Sequence, residues 1–241
     1  MITSVDNERV KAIVRLRRSR ERRRGGLFIA EGPREVERAR AAGLRIVETY
    51  FAPSLIAWPD GTEVSERVLE KMAYRAEPEG VIALVETPPR VLPTGGSLYL
   101  VCVGVEKPGN LGAMARSAEA AGADALIVVD GVADPWNPNA IRASTGAVFS
   151  LPVVEATREE VLELGVSIVS AVVGAPVRYT DADLRGPVAL VVGAEDTGLP
   201  DEWREPPATG VSIPMVEGLT DSLNTATAAA VLLFEAVRQR A

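Results

Sequence analysis

The stretch SLYLVCVGVEKPGNLGAMARSAEAAG, residues 97–122, decides the fold. Its first nine residues, Ser97 to Val105, are almost wholly apolar. They are too few to span a membrane and too continuous for a strand with one wet face. They predict a strand buried on both sides, as in a parallel sheet. Leu111 to Ala121 reads as a helix of small residues, with Asn110 where an N-cap belongs and Gly112 letting another backbone approach the first turn. Gly122 closes it. In open parallel sheets ligands bind at the carboxyl ends of strands, so chemistry is expected between Val105 and Leu111.

Working towards the C-terminus, strands are predicted at Ala125–Val129, Val166–Val172 and a region from Leu184 that ends in Val188–Val192 at Gly193. Asn139–Phe149 reads as a helix, and a long one runs from about Ser222 to Gln239. Towards the N-terminus, a helix is predicted from Val5 to Arg24, stopped by Gly25 and Gly26. Leu27–Ala30 is a short strand. A helix opened by Gly32-Pro33 reaches about Ala42, and Arg45–Phe51 is a second strand. Val64–Ala73 is helical and Gly80–Val85 a strand. Pro- and Gly-rich residues 88–96 read as a linker. The expected organisation is a small α/β domain over residues 1–90, a linker at 91–97 and a parallel-sheet α/β domain over 98–241.

Composition narrows the chemistry. Among 241 residues there is no histidine and one cysteine, Cys102. That removes Ser-His-Asp and Cys-His catalysis, His-containing zinc sites and a disulfide framework. No metal site is expected, and no apolar run suits a bilayer or a secretory signal, so the expected setting is the cytoplasm. The net charge of −7 hides an asymmetry. Residues 1–40 carry 12 Lys and Arg against six Asp and Glu, and Arg9–Arg24 holds nine basic residues beside the single acid Glu21. This block is either a solvated helix face or a phosphate-contacting arm for a polyanion.

Three strand-end segments carry the candidate site. The first is Glu106–Arg116, with Asn110 and Arg116. The second is Val191-Val192-Gly193-Ala194-Glu195-Asp196-Thr197-Gly198-Leu199-Pro200, two glycines after a buried strand and no G-x-G-x-x-G dinucleotide fingerprint. The third joins Ile213-Pro214-Met215 to Ser222-Leu223-Asn224-Thr225, a polar helix start. Each alone is compatible with ordinary caps and turns.

Together, and in this order, they resemble the three motifs of the SpoU (TrmH-like) RNA ribose 2′-O-methyltransferases of the SPOUT class. Asn137–Ala147 resembles that family's stretch between the first two motifs, and residues 1–90, with Glu31-Gly32-Pro33-Arg34, resemble its ribosomal-protein-like substrate-binding domain. The resemblance implies a C-terminal trefoil knot, S-adenosylmethionine as cofactor, a homodimer with the site completed at its interface, and RNA as partner, rRNA before tRNA. It implies catalytic roles for Asn110, Arg116, Glu195, Ser222 and Asn224, and cofactor contacts at Gly193, Gly198, Ile213, Met215 and Leu223. Arg15, Arg18, Arg22, Arg23, Arg34 and Arg142 are the expected RNA contacts. The family assigns Arg116 as base, yet a guanidinium keeps its proton, which favours a phosphate clamp and stabiliser of the developing alkoxide. Two departures stand out: Asp196 where Gly is usual, and Thr225-Ala226 where Val-Ser is common, leaving a site hydroxyl lost or displaced to Thr225 or Thr227. A tRNA ribose methyltransferase and a catalytically inactive RNA-binding or ribosome-assembly protein on the same fold are the alternatives.

Overall fold

The structure is a computed structural model that describes all residues except 90, 132, 217, 219 and 220. In chain order the first elements are α1 (Glu8–Arg15), α2 (Ser19–Gly25), β1 (Leu27–Glu31), α3 (Pro33–Ala41), β2 (Ile46–Phe51), β3 (Thr62–Glu63), α4 (Glu66–Met72) and β4 (Val81–Glu86). They are followed by β5 (Leu98–Val103), α5 (Pro108–Ala120), β6 (Ala125–Val129), α6 (Pro138–Ser144), β7 (Val153–Glu155), α7 (Arg158–Glu163) and β8 (Ser167–Ala171). The chain ends with β9 (Val177–Arg178), β10 (Val188–Val192), β11 (Thr209–Ser212) and α8 (Thr225–Arg240).

The chain divides into two compact units, and the division is not a single cut. Met1–Pro89 clusters with Asp134–Phe149, and the other described residues form the second unit. In the first unit, a four-stranded sheet runs in the order β1-β4-β2-β3, with β4 antiparallel to both β1 and β2. Val10 and Ile13 of α1 and Val68, Leu69 and Met72 of α4 bury themselves in one core with Ile29, Tyr50 and Ile82. Phe28 of β1 stacks on Trp136 at 4.4 Å between centroids and on Phe149 at 5.8 Å, which seats the 134–149 segment. Arg22 anchors it: Nε and Nη2 donate to Asp134 Oδ2 at 2.9 and 2.7 Å. Nη1 donates to the Leu16 carbonyl at 2.6 Å, and Ser19 and the Trp136 amide complete the shell of Asp134.

This unit corrects two expected helices. Val5–Arg24 is broken, because Arg18 is extended at φ −91°, ψ 128°. The break buries Leu16 in the core and lets α2 start afresh with Arg22 facing inward. Asn139–Phe149 stops as an α-helix at Ser144, since Thr145 and Gly146 take positive φ of 52° and 90° before a 3-10 turn at Ala147–Phe149.

The second unit is a seven-stranded, all-parallel sheet in the order β7-β6-β5-β10-β8-β11-β9. The apolar runs predicted as strands are its central members, β6, β5, β10 and β8, each strand register matching as a parallel ladder. The short strands β7 and β9 at the two edges, β11 between β8 and β9, and the helix α7 were not anticipated, although Thr157 and Glu160 form a reciprocal capping box at the start of α7. The helix predicted from Leu111 begins earlier, at Pro108, with Lys107 as its N-cap residue. Asn110 is therefore inside the first turn and its side chain is released from capping.

Candidate active site

From β5 the chain moves outward to β6 and β7, while β10, on the other side of β5, leads to β8, β11 and β9. The gap between the carboxyl ends of β5 and β10 is thus the crevice where an open parallel sheet binds ligands. The turn after β10 is built on two glycines. Gly198 sits at φ +68°, and its amide donates to the Ala194 carbonyl at 3.0 Å. A Cβ on Gly193 would lie 2.5 Å from the Gly198 oxygen and 2.6 Å from the Leu199 nitrogen, so only glycine fits. Thr225 Oγ1 closes the turn by donating to the Gly193 carbonyl at 2.8 Å. A Gly193→Ala variant is expected to lose about 1–3 kcal/mol of stability, because backbone rather than a mobile side chain must yield. Thermal melting measures this; an unchanged melting temperature would contradict the tight turn.

Two segments, the start of α5 and the head of α8, converge on Glu195. Lys107 at the start of α5 forms an ion pair with Oε2. Asn224, the N-cap of α8, donates Nδ2 to Oε1 and to Asn110 Oδ1, the latter at 3.3 Å. The same Asn224 accepts from the Ala226 and Thr227 amides through Oδ1. One short side chain therefore caps the last helix and orients the site carboxylate. The Lys107 ammonium first, then the Asn110 amide, hold the Glu195 carboxyl below the usual carboxylate range, and Glu195 in turn raises Lys107. Both stay charged near neutral pH. Cys102, the one thiol, is buried in β5 and pushed up to about 12 by that burial, which keeps it protonated.

Two cavities flank this cluster and share Ala194, Glu195 and Thr225 as walls. The larger, about 650 Å³ with its open mouth, is mainly apolar and takes its walls from the ends of β8, β10 and β11 and from the approach to α8. All five expected cofactor contacts, Gly193, Gly198, Ile213, Met215 and Leu223, line it, as does Ser222. The smaller, about 490 Å³, is more polar and is bounded by Glu106, Lys107, Asn110, Asp196 and Thr197.

The structure thus joins Asn110, Glu195 and Asn224 directly and brings Ser222 to the neighbouring wall. It does not bring Arg116 to them. Arg116 lies six residues beyond Asn110, about 120° round the helix. It is exposed, lines neither cavity and has no hydrogen bond or ion pair among the described residues. Of the expected RNA contacts, Arg15, Arg18, Arg23, Arg34 and Arg142 are exposed. Arg22 is not available to a phosphate: it is 3% exposed and committed to Asp134. Lys107 and Thr225 are the site residues that the sequence left out of the candidate set. A lysine beside Pro-Gly has no signature of its own, whereas the displaced hydroxyl at Thr225 did.

Comparison with known proteins agrees with this geometry. The SpoU rRNA Methylase family matches residues 97–234, more than half of the chain. The chain belongs to the SpoU family. The MRM3-like substrate binding domain matches residues 7–83. Among SpoU relatives, the 23S rRNA (guanosine(2553)-2′-O)-methyltransferase RlmP of Bacillus subtilis (strain 168) is 31% identical over 247 residues, covering 97% of each protein. A crystal structure of an RNA 2′-O ribose methyltransferase superposes with a TM-score of 0.85 at 43% identity, over 99% of this chain and 98% of that one. The SpoU methyltransferase AviRb from Streptomyces viridochromogenes, solved in complex with the cofactor AdoMet, gives a TM-score of 0.87 at 30% identity, over 97% and 98%.

Proposed function

We propose that this SpoU protein transfers a methyl group from S-adenosylmethionine to the 2′-hydroxyl of a ribose in structured ribosomal RNA. The observation that carries the reading is the meeting of Asn110, Glu195 and Asn224, from three distant segments, at the wall shared by the two cavities. The larger cavity fits the cofactor by the chemistry of its walls, which are mainly apolar and include the glycine turn of Gly193 and Gly198. Gly193, Gly198, Ile213, Met215 and Leu223 would hold it there. Bound S-adenosylmethionine supplies an electrophilic methyl on a sulfonium centre.

The protein's own task is to orient the hydroxyl and lower the cost of losing its proton. Asn110 and Asn224 present amides that Glu195 locks in position, while Ser222 and Leu223 shape the approach to α8. Arg116 acts from outside the protomer's own cluster: in a homodimer, Arg116 of the partner subunit clamps a phosphate and stabilises the developing alkoxide. The half-exposed Phe234 on α8, a large apolar side chain facing outward, supports such a dimer. The first unit is the RNA substrate-binding domain, with Arg15, Arg18, Arg23, Arg34 and Arg142 as phosphate contacts. No helix of the described residues is long and apolar enough to cross a membrane, and no cluster of metal ligands occurs among them. The setting we assign is the cytoplasm.

The test is methyl transfer from labelled S-adenosylmethionine to unmodified rRNA, tRNA and intact ribosomal subunits. Label confined to rRNA or subunits supports the reading. Label in tRNA alone moves the substrate class to tRNA, and RNA binding without label leaves the inactive RNA-binding protein.

Lys107 provides a pH test of the same site. In the wild type the neighbouring ammonium keeps Glu195 ionised to lower pH. Removing it in Lys107→Ala lets the carboxyl pKa rise towards its ordinary value, so protonation begins at higher pH. The acid limb of kcat against pH is expected to shift upward in Lys107→Ala and to return in Lys107→Arg. An acid limb that does not move would separate Glu195 from the rate.

A further inference from the structure

The smaller, polar cavity holds a carboxylate that the cluster around Glu195 does not use. Glu195 itself is taken: Lys107 pairs with one of its oxygens and Asn224 donates to the other. Lys107, the only cation among the described wall residues, is committed by the same pair. Asp196, next along the turn after β10, is exposed and lines the cavity. Its carboxylate stands near enough to Lys107 to raise that ammonium, after Glu195 in effect. It nevertheless has no hydrogen bond or ion pair among the described residues, and Glu106, another wall residue, is equally uncommitted. The charged groups left free to meet a ligand are therefore hydrogen-bond acceptors, and what enters this cavity must bring donors.

We propose that this cavity receives the target nucleotide and that Asp196 selects guanine, its two oxygens accepting from N1–H and the 2-amino group. The inference rests on the RNA-methyltransferase reading above. Unstacked bases are read by hydrogen bonds to their Watson–Crick edges. A carboxylate offers two acceptor oxygens side by side, and guanine alone among the four bases sets two donors next to each other on that edge. Adenine and cytosine each place an accepting ring nitrogen beside their amino group, and uracil flanks its one N–H with two carbonyls. Each of these turns an acceptor towards Asp196. The two bonds to guanine are charge-assisted, the stronger kind. Position supports the assignment. The ribose under attack lies at the wall shared by the two cavities, and its base, on the carbon next to the reacting one, reaches into the smaller. Glycine is usual at the position of Asp196 in the SpoU family, so the shared methyl-transfer chemistry does not depend on a carboxylate there. A side chain free of that duty suits the choice of nucleotide.

The experiment uses the full chain, labelled S-adenosylmethionine and unmodified rRNA. The labelled RNA is digested to nucleosides, and 2′-O-methylguanosine is the expected product. Wild type, Asp196→Ala and Asp196→Asn are then compared on rRNA whose mapped target, in a ligated synthetic segment, is guanosine or inosine, which lacks the 2-amino group. Wild type is expected to lose about ten- to a hundredfold in kcat/KM on inosine, the range for a hydrogen bond to a charged group. Asp196→Ala falls by a similar factor on guanosine and no longer distinguishes the two, with Asp196→Asn between. A merely structural fault would lower both substrates alike and keep their ratio. S-adenosylmethionine binding and thermal melting, expected unchanged at this exposed position, report on folding. A methylated nucleoside other than guanosine overturns the proposal, as does an Asp196→Ala enzyme that keeps the wild-type preference for guanosine over inosine. Those outcomes leave the methyltransferase reading intact, whereas wild type that labels no RNA removes that reading and this one with it.

Discussion

Arg116→Ala lowers methyl transfer by about 10²–10³-fold, the usual loss when one preorganised charge is removed from a transition state, while S-adenosylmethionine binding is unchanged. The second half of that expectation comes from position: Arg116 is exposed on α5, away from both cavities and from Glu195. Under the proposed two-fold dimer, Arg116 would act on the nucleotide held by the other subunit. Mixing decides it. Arg116→Ala and Asn224→Ala proteins, each inactive alone, are expected to regain roughly a quarter of wild-type activity when unfolded and refolded together, since half the dimers then carry one intact composite site. No recovery on mixing would return Arg116 to its own protomer, and full activity of Arg116→Ala would remove it from the mechanism.

Asp134→Ala destabilises the first unit by about 3–5 kcal/mol, the range for breaking a buried ion pair from one side. Arg22 is left in the interior at 3% exposure with its Nε and Nη2 facing an empty space and only the Leu16 carbonyl still bound. Ser19 and the Trp136 amide lose their acceptor as well. Melting should fall by roughly 6–20 °C. The double variant Arg22→Met with Asp134→Leu removes both charges and is expected to recover most of the loss. A cost under about 1 kcal/mol, as for an exposed pair, would show that water reaches the guanidinium.

These two arginines show where the sequence was legible and where it was not. Fully apolar runs such as Ala125–Val129 and Val188–Val192 name their elements because burial on two faces admits no polar residue. The polar start Ser222–Thr225 left the cap of the last helix open between Ser222 and Asn224; the helix begins at Thr225 and Asn224 caps it. Arg22 looked like its neighbours in a basic run, since nothing local tells which of nine cations will find a carboxylate 112 positions away. Lys107 escaped notice for the same reason: its partner, Glu195, is brought near only by the pairing of β5 with β10. Local pattern read Asn110 as a cap, and only the family resemblance gave it a place in the site. Pro108 started the helix one turn sooner, and that shift freed the amide for Asn224. Local rules find elements; the identity of long-range partners depends on topology.

The excursion of Asp134–Phe149 into the first unit bears on how such proteins are recombined. A chimaera that exchanges only residues 1–89 for those of another SpoU protein would set a foreign Phe28 and Arg22 against the native Trp136 and Asp134. Grafting a new substrate preference onto this catalytic sheet therefore requires transplanting two pieces of chain, the second cut from within the catalytic half. Likewise, a fragment starting at residue 97 would carry Trp136 and Phe149 with nothing to stack on, and a minimal methyltransferase is better made by replacing 134–149 with a short loop than by truncation.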